Sequence, residues 1–191
     1  ADVETECNGL QTYDRAVAKI SPDVLRAANQ SGLYGAPRKI VLADALFGRS
    51  DWKFTTEKPA DDWYQTKFDA SAWKDGVGGF GSTGTPGVFL NTSWTTSDIW
   101  MRREFTLEPE DIPQIKLHVF HDEGAEIYLN GALAARLTGF ITDYDEFEIS
   151  SVAASTLHAG ENTIAVHCHQ TSGGQGIDVG IIVPQTTPEK K

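Results

Sequence analysis

Residues 115–131, Ile-Lys-Leu-His-Val-Phe-His-Asp-Glu-Gly-Ala-Glu-Ile-Tyr-Leu-Asn-Gly, narrow the choice of fold more than any other part of the chain. Ile115, Leu117 and Val119 alternate with Lys116 and His118, the two-residue period of a strand with one buried face. His121-Asp122-Glu123-Gly124 interrupts the run. Ile127 and Leu129 then restore the period around Glu126 and Tyr128. Asn130-Gly131 is the dipeptide favoured in two-residue hairpin loops, because both central residues can take φ > 0. Residues 132–137 are read as the returning strand.

Much of the remaining chain has the same texture. Ile99, Met101, Phe105 and Leu107 share one face of a strand over residues 99–107, which carries Arg103 onto that apolar side. A guanidinium there needs a carboxylate, with Glu126 or Asp122 as candidates, or backbone acceptors, or else a ligand in a cleft. Further strands are expected at 52–55, 147–149, 163–169 with Ile164, Val166 and Cys168 inward, and 177–183, closed by Pro184. Residues 76–87 hold six glycines and a proline. No apolar strand leads into that run and no helix follows it, so it is read as a long surface loop and not as a phosphate-binding loop. Many short strands with glycine-rich turns define an all-β chain, a two-sheet antiparallel β-sandwich.

Residues 1–48 read differently. Ser21-Pro22-Asp23 has the capping hydroxyl, first-turn proline and early acid of a helix start, and Ser31-Gly32 ends that short helix. Residues 39–42 suit a strand. The expected organisation is an N-terminal extension or connector over 1–48 with one short helix, a sandwich module over 49–184 and a tail over 185–191.

Composition removes several classes of function. The net charge of −11, with no local basic patch, argues against nucleic acid and anionic membranes. No apolar run approaches the roughly 18 residues of a membrane span, so membrane insertion is not expected. The two cysteines, Cys7 and Cys168, are no disulfide framework, and whether they pair stays open. Cys168 shares parity with inward residues and is read as a small buried hydrophobe. The chain starts at Ala1-Asp2 without a leader-like segment, which suits both a removed leader and a piece of a longer protein.

Three segments occur in a telling order: Ser-Asp-Ile-Trp-Met-Arg-Arg-Glu-Phe-Thr-Leu at 97–107, Ala-Glu-Ile-Tyr-Leu-Asn-Gly at 125–131 and Gly-Glu-Asn-Thr-Ile-Ala-Val-His at 160–167. Together they resemble the sugar-binding-like jelly-roll domain of family-two glycoside hydrolases, within the galactose-binding-domain-like superfamily. Residues 63–81 are similar to a loop of related accessory domains in bacterial carbohydrate-active proteins. The resemblance covers roughly residues 50–183 and implies a jelly-roll sandwich. Each segment is a core strand with the turn that sets its register, so it speaks for fold before function.

For chemistry, Asp122 and Glu123 are neighbours on a turn and do not face each other across a cleft as glycosidase carboxylates do. No Gly-x-Ser-x-Gly elbow is present. The chain is therefore not read as an enzyme. His167 and His169 point the same way along one strand and can hold zinc or copper only if His118 or His121 joins them. Calcium is a further option, through Asp122, Glu123 and Asp143, because this hard ion takes carboxylate and carbonyl oxygens. A glycan site is expected in loops, where indole and phenol rings stack on sugars beside amides and carboxylates. Its candidates are Trp94, Tyr144, Trp63, Tyr64, His169, Gln170 and Gln175. The reading is a non-catalytic carbohydrate-binding or accessory module of a larger secreted or periplasmic glycoside hydrolase-like protein, with a glycan or an adjacent catalytic domain as partner. The alternatives are a purely structural brace and a peptide-recognition module.

Overall fold

A computed structural model of the chain describes residues 38–185. The helix expected at 22–30, the pairing of Cys7 and most of the 185–191 tail lie outside those residues. Among the described residues the strands are β1 (Arg38–Leu42), β2 (Asp51–Thr55), β3 (Lys74–Val77), β4 (Phe80–Gly81), β5 (Thr92–Ser93), β6 (Asp98–Leu107), β7 (Lys116–Asp122), β8 (Gly124–Leu129), β9 (Ala132–Leu137), β10 (Asp145–Phe147), β11 (Gly160–His169) and β12 (Gly176–Pro184). One helical turn, α1 (Ser151–Ala154), sits between β10 and β11, capped by the Ser150 hydroxyl. No described helix is long and apolar enough to cross a membrane.

The strands form two layers. The first sheet runs β10-β7-β12-β4-β5, with β1 also on β12, and the second runs β3-β2-β6-β11-β8-β9. Every pairing is antiparallel except the short β4–β5 contact. This is the two-sheet sandwich expected of the alternation. Residues 38–48, assigned to the extension on sequence grounds, lie on the sandwich, since β1 pairs along the end of β12. Although β7 and β8 are consecutive, they lie in different sheets. The interruption between them is the crossover from one layer to the other, with Glu123 at φ 78°. The Asn130-Gly131 turn joins β8 to β9 with both residues at positive φ, 47° and 83°, as a hairpin of this kind requires.

The inner faces meet in one apolar core. Leu117 and Val119 from β7, Ile177, Val179 and Ile181 from β12, Ile99 and Met101 from β6, and Ile164, Val166 and Cys168 from β11 are all fully buried. Burying side chains of this size contributes about 1.5–3 kcal/mol each before conformational entropy is set against it. The Gly-rich run at 76–87 is not the expected surface loop. It contains β4 and parts of β3, Phe80 is wholly buried, and Gly79 (φ 88°) passes so close to the Phe89 carbonyl that a Cβ would stand 2.0 Å from that oxygen.

Both outer faces are covered in part by connecting segments, and this shapes the surface. Over the second sheet, residues 56–73 bring Trp63 onto Trp100 and Ala165, with Tyr64, Phe68, Trp73 and Tyr128 around them. Over the first sheet, Asp44 and Phe47 from the connection after β1 and Tyr144 from the β9–β10 connection lie on His118.

Candidate functional site

The residues proposed from sequence to bind a ligand are divided among three places. Trp94, His169, Gln170 and Gln175 meet at one end of the sandwich, where the β5–β6 and β11–β12 connections touch. Trp94 is 2% exposed and its indole N–H is engaged by Thr96 Oγ1 at 2.9 Å and the Asp98 carbonyl at 3.1 Å. Gln175 is also buried, donating to the Thr96 carbonyl at 2.6 Å. The Gln170 amide bonds within its own loop, to the Ser172 and Gly174 carbonyls. Trp94 and Gln175 close the end of the core, while the His169 ring stays exposed beside them.

Tyr144 lies elsewhere, on the first sheet. Its ring stacks on His118 at 5.3 Å and its hydroxyl donates to Asp178 at 2.7 Å. Burial first, and then the charge of Asp178, push this phenol well above its ordinary pKa. Trp63 is buried on the second sheet, edge-on to Tyr64, Tyr128 and His167. Tyr64 stacks on Tyr128 at 4.5 Å. Four of the seven candidates keep open surface: half-exposed Tyr64, Tyr144 and Gln170, and exposed His169.

The side chains proposed for a metal are spread over both sheets. His167 and His169 do share a face, but both bond the same oxygen, Asp98 Oδ1, at 2.8 and 2.9 Å. His118 is on the other sheet, bonded to Asp44, and His121 is bonded to the Glu123 carbonyl. Asp122, Glu123 and Asp143 do not gather either: among the described residues no group of three or more histidine, cysteine or acidic side chains is placed to hold one ion.

Arg103 keeps the inward parity expected of it, yet neither Glu126 nor Asp122 is its partner. Its guanidinium lies 5.7 Å from the Trp52 ring and its Nε donates to the Glu104 carbonyl at 3.1 Å. Arg102, which sequence reasoning passed over, is the more buried of the two at 5% exposure. Its Nη1 donates to the Trp63 carbonyl and its Nη2 to the Gln65 carbonyl at 2.9 Å, while Phe68 covers its face at 5.5 Å. Burial lowers the pKa of both guanidinium groups from the usual arginine value.

Arg102 thereby lies at an open cleft of about 300 Å³. The floor is Lys53 of β2, Arg102 to Glu104 of β6 and Thr163 of β11, and the wall is the segment from Thr66 to Ser71. Phe68, tilted against Trp73 at 5.6 Å, gives the wall an apolar surface. Lys53 is held by Asp75 at 2.7 Å. The lining mixes donors and acceptors: ammonium, hydroxyls and two carboxylates around one ring. Asp69 accepts from the Ser71 amide at 2.8 Å, and Ser71 holds its carboxyl below the ordinary carboxylate range. A general acid needs the opposite shift. The sequence signal for this cleft was the Phe-Asp-Ala-Ser-Ala-Trp-Lys segment, which shows no periodicity that would tell where it docks.

No family model matches the chain, and no curated protein matches it. Solved structures do. One is a glycosyl hydrolase family 2 member from Bacteroides cellulosilyticus, at 19% identity and a TM-score of 0.51 over 70% of this chain. Another is a calcium-binding mutant of Bacteroides uniformis beta-glucuronidase 2, at 20% identity and a TM-score of 0.52 over 77% of this chain. The match takes in 20% and 18% of those two chains. At such identities the likeness is one of fold. The chain has the sandwich fold of a domain that forms about a fifth of these longer proteins.

Proposed function

We propose that the chain is a non-catalytic module of a larger carbohydrate-active protein, secreted or periplasmic, and that it engages a glycan in the cleft beneath residues 66–71. One observation carries this reading: opposed hydroxyls, carboxylates and an ammonium converge beside Phe68 in a cleft of about 300 Å³. A sugar ring presents C–H groups to an aromatic face and hydroxyls to mixed donors and acceptors, so this lining suits it. The fold shared with part of glycosyl hydrolase family 2 proteins supports the setting. A non-catalytic role is supported by the span of the match, which takes in only about a fifth of those longer chains.

The test is a titration of the chain with a panel of short oligosaccharides, followed by tryptophan fluorescence, since Trp73 is half-exposed beside Phe68. Affinity in the region of 1 µM or weaker, about −8 kcal/mol, is expected. Glu104→Gln with Thr66→Ala, both on the exposed lining, should weaken binding about tenfold, the effect of one or two lost hydrogen bonds. Binding unchanged in that double variant would place the glycan elsewhere.

A second reading, a brace for a neighbouring catalytic domain, is favoured by a different surface. Phe140 is 66% exposed, and Phe89 and Leu90 are 36% and 37% exposed on an adjoining loop. Large apolar side chains left open on neighbouring loops are a feature of contact surfaces. No binding across a broad panel would leave this reading as the better one.

A further inference from the structure

The outer face of the first sheet holds a dry group of ionisable side chains that neither reading uses. Asp178 of β12 and Asp44, two residues after β1, are both 0% exposed, and His118 of β7 is 4% exposed. Asp44 accepts from the Leu46 and Phe47 amides through Oδ1 and pairs with His118 Nδ1 at 2.6 Å through Oδ2. Asp178 Oδ2 accepts from the Ala45 amide and the Tyr144 hydroxyl, each at 2.7 Å. Its Oδ1 has no hydrogen bond of ordinary geometry, although the Gly79 amide approaches the carboxyl group. Phe47 and Tyr144 sandwich the imidazole at 4.7 and 5.3 Å.

The charges do not balance if both carboxyl groups ionise. The group contains one imidazole, and that imidazole is bonded to Asp44. Among the described residues no lysine or arginine is bonded to Asp178 or contributes to its titration. Its titratable neighbours are Asp44 from the connection after β1, His118 from β7 and Tyr144 from the β9–β10 connection. The indole N–H of Trp52, close to Gly78 on the same side, is neutral. An unpaired buried carboxylate is strongly disfavoured. Asp44 spends both oxygens on three donors, whereas Asp178 keeps in Oδ1 an oxygen without a well-formed hydrogen bond, which can carry a proton.

We propose that Asp178 is the proton-holding member of a clasp that ties residues 43–50 and 140–145 to the first sheet, and that loss of its proton loosens both segments. Burial, and then the charge of Asp44, raise this carboxyl to about 7. A carboxyl raised in the folded state binds its proton there at pH values where the unfolded chain has released it. The stabilisation is complete below the unfolded value of 3.8 and is lost as pH rises toward 7.

Two readouts on the whole chain test this. The urea midpoint of the wild type should fall between pH 5 and pH 8, while that of Asp178→Asn, which keeps an acceptor for Ala45 and Tyr144, should stay level over the same range. Cleavage by trypsin after exposed Arg49, inside the first tied segment, should accelerate several-fold with pH relative to cleavage after Arg136 on β9, and in the variant the ratio should stay constant. Parallel pH profiles for wild type and variant would overturn the proposal. If Asp178→Asn does not fold, carboxyl carbon NMR of the wild type decides: an aspartate titrating near neutrality supports the clasp, and aspartates that all titrate below about pH 5 remove it.

Discussion

Asn162 shows how much one side chain can hold. It is 2% exposed, donates to the His158 and Gly160 carbonyls at 2.7 and 2.9 Å, and accepts from Asn130 Nδ2 at 2.8 Å and the His158 amide at 3.2 Å. Asn130 in turn accepts from the Thr163 amide at 2.8 Å and donates to the Thr156 carbonyl. Two of the sequence segments that carry the family resemblance thus meet through their asparagines, which lock the β8–β9 hairpin to the start of β11. Asn162→Ala orphans several buried groups and should cost about 2–3 kcal/mol, against within about 0.5 kcal/mol for exposed Glu161→Ala. Urea midpoints of the two variants check this; equal midpoints would remove the lock. Asn130→Ala adds the penalty of a side chain with a positive φ of 47° and should lose at least as much.

Among the elements, β11 and the 61–73 segment stand at opposite ends of the stability range. β11 pairs with β6 along all ten of its residues and with β8 from Ile164 to His169, and its inward side chains are fully buried. The segment is held by short turns, by the packing of Trp63 and by the two carbonyl bonds from Arg102. In native-state hydrogen exchange, the Ile164 to Cys168 amides should therefore exchange only through global unfolding, and those of 61–73 through local opening. Arg102→Met removes a charged donor from two carbonyls and should cost about 2–4 kcal/mol. Its loss of protection should be concentrated in 61–73. A loss spread evenly over β11 would mean that the segment is not an independent lid on the second sheet.

For the whole molecule, pH acts from two sides. Burial raises the Asp98 carboxyl, but the bonds from His169 and His167 outweigh that and leave it below its ordinary 3.8. Its contribution is present above the unfolded value and lost as pH falls through the lowered one. Asp178 has the opposite sign, and its contribution fades as pH rises toward 7. A stability maximum on the acid side of neutrality follows. Thermal midpoints across pH 3–9 measure it, and a maximum above neutrality would show that the buried pair does not govern the alkaline side.

The sequence by itself determined what local physics can encode. Alternation at Ile115, Leu117 and Val119 and at Ile164, Val166 and Cys168 named the inward residues, because a strand's side chains change face at every step. Asn130-Gly131 named its hairpin through the φ values that few other residues accept. Pairing partners were not legible, so the break at Glu123 gave no sign that β7 and β8 belong to different sheets. The outer faces were legible least of all. Strand parity placed His118 away from the core, yet connections from distant parts of the chain cover it and leave it buried. Trp94 and Tyr144, placed in loops by sequence, are a core plug and a half-buried partner of Asp178. The cleft exists only because residues 66–71 come to rest over β2, β6 and β11. Only the tertiary structure decided these points, because a strand's period records which face is apolar and holds no record of what a remote loop will lay across the other.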